Sequence, residues 1–219
     1  MNVKEFLLNN VKWFSQGCMR IDINGKVVYT DPFKVDGEYN DADLILLTHD
    51  HFDHFSPEDI KKVMTEKTTF ILPFSMEDAL DIFPKNHIAC VYPDDVLNCE
   101  FCKVYAVNAY NIKNTQFHPL EKKWVGYVIE FDGISLYYTS DTELIPEMED
   151  IECDAVFLPI DGYFTMPTMA DVARAAVMTN AKYAVPIHYG TQEGAMDVVK
   201  EKIDLLHELL DGLCEVVCL

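Results

Sequence analysis

The tightest constraint on this chain is a junction. The apolar run Leu44-Ile45-Leu46-Leu47-Thr48 passes directly into His49-Asp50-His51-Phe52-Asp53-His54, which holds three of the seven histidines. The run has strand length and is entered from polar Asp41-Ala42-Asp43, the pattern of a strand buried on both faces. In extended backbone residues i and i+2 project to one side, so His49 and His51 can present imidazoles to one cation. Beyond them Ser56-Pro57-Glu58-Asp59 reads as a helix start: Ser56 as N-cap, Pro57 at the first helical position, acidic side chains in the first turn. The chain must therefore turn in between. That turn sends Asp53 and His54 to a second cation, at the roughly 3.5–4 Å spacing of two-metal hydrolytic sites. Imidazole and carboxylate without thiolate suit zinc, with manganese or iron as alternatives. Chance yields His-x-His-x-Asp-His about once in a thousand chains of this length.

The rest of the chain reads as strands giving way to strand-helix alternation, twice over. Val11 to Phe14, Cys18 to Ile23 and Lys26 to Thr30 form a meander, with Asn24-Gly25 as a hairpin turn. After Leu44 to Leu47 come a helix from Pro57 to about Glu66, a strand at Thr69 to Leu72, a helix near Ser75 to Asp81 and a strand at Ile88 to Tyr92. Phe101 to Val107, Trp124 to Phe131 and Ile134 to Thr139 return to β-pattern, with Asp132-Gly133 as a second hairpin turn. Ala155 to Pro159 and Tyr183 to Ile187 are strands, Thr168 to Thr179 and Ala195 to Leu210 are helices, and Glu215 to Cys218 closes the chain as a strand. Two such halves predict two sheets packed face to face with helices outside, an α+β fold, in one domain spanning 1–219.

Five segments in order carry a family resemblance. Gly25-Lys26-Val27-Val28-Tyr29-Thr30-Asp31-Pro32-Phe33 resembles a strand ending in Asp-Pro, and Thr48 to His54 resembles a metal signature. Ser140-Asp141-Thr142 stands where Gly-Asp-Thr is usual. Leu158-Pro159-Ile160-Asp161-Gly162-Tyr163-Phe164-Thr165-Met166 and Pro186-Ile187-His188-Tyr189 complete the set. Together they are similar to metallo-β-lactamase-fold metal-dependent hydrolases, and most closely resemble the single-domain branch related to L-ascorbate-6-phosphate lactonase. The resemblance implies a four-layer αββα sandwich and two divalent metal ions, most simply zinc. It implies that His49 and His51 bind the first metal, that Asp53, His54 and His188 bind the second, and that Asp141 bridges them.

One position departs from that pattern. The family supplies a third histidine to the first metal, and the matching segment Ala109-Tyr110-Asn111 places Asn111 there. An amide oxygen is a harder, neutral donor, which predicts a weaker first site. His118, in Gln116-Phe117-His118-Pro119, can compensate as ligand, as general acid or as substrate contact. Asp31 is placed to accept a hydrogen bond from a ligand imidazole and fix its tautomer. Asp50 is expected to point away, and Tyr163, Thr165 and Tyr189 are the candidate substrate contacts.

Composition narrows the partners. A net charge of −20, from 37 acidic against 17 basic residues, repels polyanions and disfavours nucleic acid. No stretch approaches the roughly 18 apolar residues of a membrane span, and Met1 to Asn10 lacks a signal peptide's apolar centre. Seven cysteines without an export signal predict reduced thiols and a cytoplasmic location. Cys99-x-x-Cys102 has zinc-like spacing but no second pair, and reads as part of a strand.

The expected chemistry is hydrolysis of a small-molecule ester, lactone or phosphodiester by a metal-held hydroxide, with Asp141 and Asp53 in the catalytic set and His118 open beside them. A di-iron oxygen-reducing relative would carry Glu at the position of His51. The rival expectation is a metal-binding sensor or scaffold without catalysis, prompted by Asn111. The sequence leaves the oligomeric state open.

Overall fold

The computed structural model describes residues 2–77, 83, 87–189 and 196–219. The chain opens with helix α1 (Val3–Asn10), whose N-cap Asn2 accepts a bond from the Lys4 amide and which buries Phe6 and Leu7. A meander follows: β1 (Val11–Ser15), β2 (Cys18–Ile23) and β3 (Lys26–Thr30). Asn24 and Gly25, at φ 56° and 80°, join β2 to β3. Positive φ at both central residues is what a two-residue hairpin needs to match strand twist.

β4 (Leu44–Leu46), α2 (Pro57–Val63), β5 (Thr69–Pro73) and β6 (His87–Val91) complete the first sheet, ordered β1-β2-β3-β4-β5-β6 and parallel from β3 onward. β7 (Val96–Asn98), β8 (Lys103–Asn108), β9 (Val125–Phe131) and β10 (Ile134–Tyr138) run antiparallel. β11 (Ala155–Pro159), α3 (Met169–Met178), β12 (Tyr183–Ile187), α4 (Met196–Leu209) and β13 (Glu215–Val216) follow. The second sheet is ordered β13-β12-β11-β10-β9-β8-β7, parallel from β10 to β13.

Side-chain alternation explains the layering. Leu136 and Tyr138 of β10 join Leu44 and Leu46 of β4 in one cluster between the sheets. Their neighbours point outward: Tyr137 packs with Val172 and Ala176 of α3 and Leu206 of α4, and Ile45 packs with Ile60 and Val63 of α2. Both sheets are thus apolar on both faces, and the layers run helix, sheet, sheet, helix, the expected αββα sandwich. Tyr127 of β9 ties the sheets by donating its hydroxyl to the Leu47 carbonyl at 2.7 Å.

Most expected elements are present with ends shifted by a residue or two, and α2 stops at Val63, three residues short of the expected Glu66. Thr168 caps α3 as expected, accepting from the Asp171 amide. The helix expected near Ser75 to Asp81 lies in part outside the described residues, as does Ala195, the expected first residue of α4. Helix α1 and strand β7 were not expected. Each sheet sends its parallel strands toward one edge, and the candidate residues leave from those ends.

Candidate metal centre

Five neighbouring strand exits build the site. β3 ends at Asp31, β4 leads into His49 to His54, β10 into Ser140 and Asp141, β11 into Asp161, and β12 into His188. Three of these exits bend through the left-handed region that L-residues rarely occupy, at Asp31 (φ 38°), Ser140 (φ 59°) and His188 (φ 58°). The bends bring the groups together. His49, His51 and His118 offer nitrogens within 4.8 Å of one another, and so do Asp53, His54 and His188 with their own donor atoms.

Asp141 lies between the two groups. Its Oδ1 is 3.4 Å from His54 Nε2, and its Oδ2 is 3.3 Å from His188 Nε2 and 3.5 Å from His118 Nε2. His49 Nε2 and His51 Nδ1 are 3.0 Å apart, and His54 Nε2 and His188 Nε2 are 3.3 Å apart. Ligands on one tetrahedral zinc, with Zn–N near 2.0–2.1 Å, stand about 3.3 Å from one another. Both ring nitrogens of buried His118 lack a hydrogen-bond partner. Such an orphan costs about 1–3 kcal/mol unless something else satisfies it, and an imidazole facing two others is satisfied by a cation. The donor set therefore fits divalent metal.

The imidazoles are aimed from behind. Asp31, fully buried, accepts the Thr48 amide at 2.8 Å on Oδ1. Its Oδ2 accepts the Thr48 hydroxyl at 2.6 Å and the Tyr138 hydroxyl at 2.6 Å, and meets His54 Nδ1 at 2.8 Å. His54 therefore keeps its proton on Nδ1 and turns Nε2 inward. Thr48 Oγ1, 2.9 Å from His49 Nδ1, does the same for His49. Gly17 makes room for this arrangement, since a Cβ there would fall on the Tyr138 hydroxyl.

Asp161 plays the matching part for His188, with Oδ2 at 3.4 Å from Nδ1. It is itself held by the Tyr163 and Phe164 amides at 2.8 and 2.7 Å and by the Thr165 hydroxyl at 2.5 Å. Lys202 of α4 anchors the same loop, donating to the Ile160 and Asp161 carbonyls at 2.7 Å each.

The electrostatics divide the five histidines. Burial and the neighbouring imidazoles push His49 well below the ordinary range and lower His51; burial brings His118 down to about 4. Burial would also depress His54 and His188, but Asp141, with Asp31 beside His54 and Asp161 beside His188, outweighs it. His54 rises well above 6.5 and His188 to about 10. Burial alone would raise Asp141, yet His188 and His54 hold it well below the usual carboxylate range. Protons on His54 and His188 thus occupy places that a cation would take.

Of the other expected site residues, Asn111 donates its amide to the Phe164 carbonyl at 2.7 Å and the Asn114 carbonyl at 3.2 Å. Its backbone N–H bonds the His118 carbonyl at 2.8 Å, closing the loop that carries His118. Thr165 is buried on Asp161, Tyr189 packs at a tilt on Trp13 with ring centroids 4.4 Å apart, and exposed Tyr163 packs on Phe164. Asp50 faces outward toward Lys122 at 3.9 Å.

Four contributors have no signal in sequence spacing: Asp161, Gln16, Trp124 and Glu143. Gln16 Nε2 lies 3.1 Å from Asp53 Oδ2 and 3.2 Å from His188 Nε2. The Trp124 ring lies 5.0 Å from both the His49 and His51 rings, an apolar wall on that group. Buried Glu143 accepts the amides of Ile112, Lys113 and Asn114 at 2.8–3.0 Å and pins the His118 loop. The centre opens into a cavity of about 440 Å³ lined by Gln16, His51, Asp53, His118, Asp141 and His188 together with Phe33, Lys34, Phe52, Phe117 and Phe164.

A two-sheet sandwich with this donor-lined edge cleft is the frame of a metal-dependent enzyme. The chain belongs to the beta-lactamase superfamily, whose domain profile matches residues 10–188. It is 30% identical over 196 residues to a UPF0173 metal-dependent hydrolase of Geobacillus sp. strain WCH70, covering 83% of this chain and 85% of that one. The crystal structure of a protein assigned as a metal-dependent hydrolase from Parabacteroides distasonis superposes with a TM-score of 0.80 at 30% identity, covering 95% of this chain and 91% of the other. CmlA, a diiron β-hydroxylase from Streptomyces venezuelae, shares the fold at TM-score 0.77 and 14% identity, over 95% of this chain and 52% of its own.

Proposed function

We propose that the chain hydrolyses a small-molecule ester, lactone or phosphodiester with two divalent cations, zinc before manganese or iron. His49, His51 and His118 would hold one, Asp53, His54 and His188 the other, with Asp141 shared. The partnerless His118 imidazole beside Asp141 carries this reading. It would supply the third nitrogen of the first group, beside Asn111, whose own buried Oδ1 also lacks a hydrogen-bond partner; a scaffold without catalysis is the reading that loses ground if both groups fill with metal. CmlA's iron makes iron the main alternative metal on this fold.

The bound cations would supply a water of lowered pKa and polarise the substrate oxygen. The protein's own groups do the remainder. Asp31, Thr48 and Asp161 fix imidazole orientation from behind. Asp53, half-buried on the cavity wall and held by Gln16, is placed to take the proton that the attacking water gives up. Trp124 keeps bulk water from the His49 side. The net charge of −20 argues for a small molecule over nucleic acid, and seven free thiols suit the cytoplasm.

The test is metal analysis coupled to hydrolysis. Reconstituted protein should hold about two equivalents, His118→Ala about one, and Asn111→Ala about two. Aryl ester, lactone or phosphodiester turnover should disappear in His51→Ala with the fold intact. Less than about half an equivalent in the wild-type chain refutes the metal assignment.

A further inference from the structure

The cavity wall carries chemistry that metal binding leaves unused. Phe33 and Phe52 meet edge to face at 5.9 Å, and Phe117 and Phe164 at 4.8 Å, two separate ring pairs from four different loops. Phe52 is 78% exposed, far more than a phenylalanine with a packing role requires. Among the described residues Lys34 is the one lysine or arginine on that wall, and its ammonium lies 5.4 Å from the centroid of the Phe33 ring, with no ion pair to a carboxylate there. That is notable where 37 acidic residues compete for 17 basic ones. Its place is also built: Lys34 sits at φ 51°, with its own amide and that of Val35 held by Asp59 at 3.0 and 3.1 Å. Left-handed backbone is unfavourable for a lysine, and the charged acceptor Asp59 offsets that here.

We propose that this cavity selects a small amphipathic anion: a planar apolar body laid against Phe33, Phe52, Phe117 and Phe164, with an anionic group remote from the reacting bond met by Lys34. This rests on the hydrolase reading and deepens it to a substrate class. Flat rings gain offset or edge contacts from such walls. An ammonium held over the Phe33 ring at the rim of a largely apolar cavity fixes orientation, as the few polar groups of ligand pockets do. A purely polar substrate such as a short sugar would leave the rings wet, and a cationic one would face Lys34.

Calorimetric binding to the metal-loaded protein tests this without turnover, using 2-naphthalenesulfonate, whose sulfonate is a poor metal ligand. Neutral 2-naphthyl methyl sulfone and methanesulfonate are the comparison probes. The anion should bind about tenfold tighter than either. Lys34→Gln should abolish its advantage over the neutral sulfone, Lys34→Arg should keep it, and Phe117→Ala should weaken both naphthyl probes alike. Methanesulfonate binding as tightly overturns the aromatic part; Lys34→Gln losing less than about twofold overturns the anionic part. Binding is read apart from metal content and ester turnover, so this proposal and the hydrolase assignment fail independently.

Discussion

Loading the metal-free protein should release protons at one ligand group and not at the other. At about pH 7.5, His54 and His188 are protonated in the metal-free chain, being raised well above 6.5 and to about 10, while His49, His51 and His118 are neutral. A cation entering among His49, His51 and His118 displaces nothing. One entering among Asp53, His54 and His188 must displace a proton from each of two rings, so about two are released, and any further ionisation adds to that floor. Released protons compete with the cation, so acid weakens binding: about tenfold per proton per pH unit, or about 100-fold between pH 7.5 and 6.5. The slope lessens as pH climbs toward 10, where His188 gives up its proton unaided. Zinc titration calorimetry in buffers of different ionisation heat reads the count for each binding event, with Trp124, 5.0 Å from His49, as a fluorescence reporter of which group fills. Equal counts for both events, or a total below about one, would refute the division of the histidines.

Three further outcomes follow from the same contacts. In metal-free protein the raised His188 adds stability in full below about 6.5 and loses it as pH rises to about 10, so its melting temperature should fall across that window while the metal-loaded form stays flat. A flat metal-free profile in differential scanning fluorimetry counts against the buried imidazolium. Asp31→Asn turns a donor toward groups that now donate to Asp31, and should cost about 1–3 kcal/mol of stability and about 10–100-fold in affinity at the His54 group. Lys202→Met frees the Ile160–Asp161 carbonyls and should weaken the His188 group severalfold, about 1 kcal/mol, leaving the His49 group unchanged by the same titration.

What the sequence revealed tracks how local each interaction is. His49 to His54 are contiguous and lie between a readable strand and a readable N-cap, so spacing alone exposed them. Asp141 and His188 needed the family resemblance, since an aspartate or histidine at a strand exit has no distinctive spacing. The Asn111–His118 ambiguity has a physical origin: the Asn111 backbone N–H donates to the His118 carbonyl, so the loop closes on itself and brings its far end to the centre. Loop closure of that kind depends on Glu143, which sits 25 residues or more downstream and accepts three amides. Helix α1 was illegible because its buried residues, Phe6 and Leu7, are adjacent and show no helical period. Strand β7 was illegible because its three residues are mostly exposed.

The two halves of the molecule solve the orientation problem in the same way. In the first sheet Asp31 leaves β3 and holds Nδ1 of His54, which follows the neighbouring parallel strand β4. In the second, Asp161 leaves β11 and faces Nδ1 of His188 at the exit of the neighbouring parallel strand β12. Adjacent parallel strands end about 4.8 Å apart, within reach of a carboxylate–imidazole bond. Strand register therefore brings these two carboxylates to these two rings, and the loops complete the placement through the bends at Asp31, Ser140 and His188 and the contacts that hold Asp161. Asp141, from β10 beside β11, then needs no long excursion to lie between the two rings. The carboxylates that face the two imidazoles thus leave from neighbouring strands in both sheets, and in the second the loop amides and Lys202 finish the placement of Asp161.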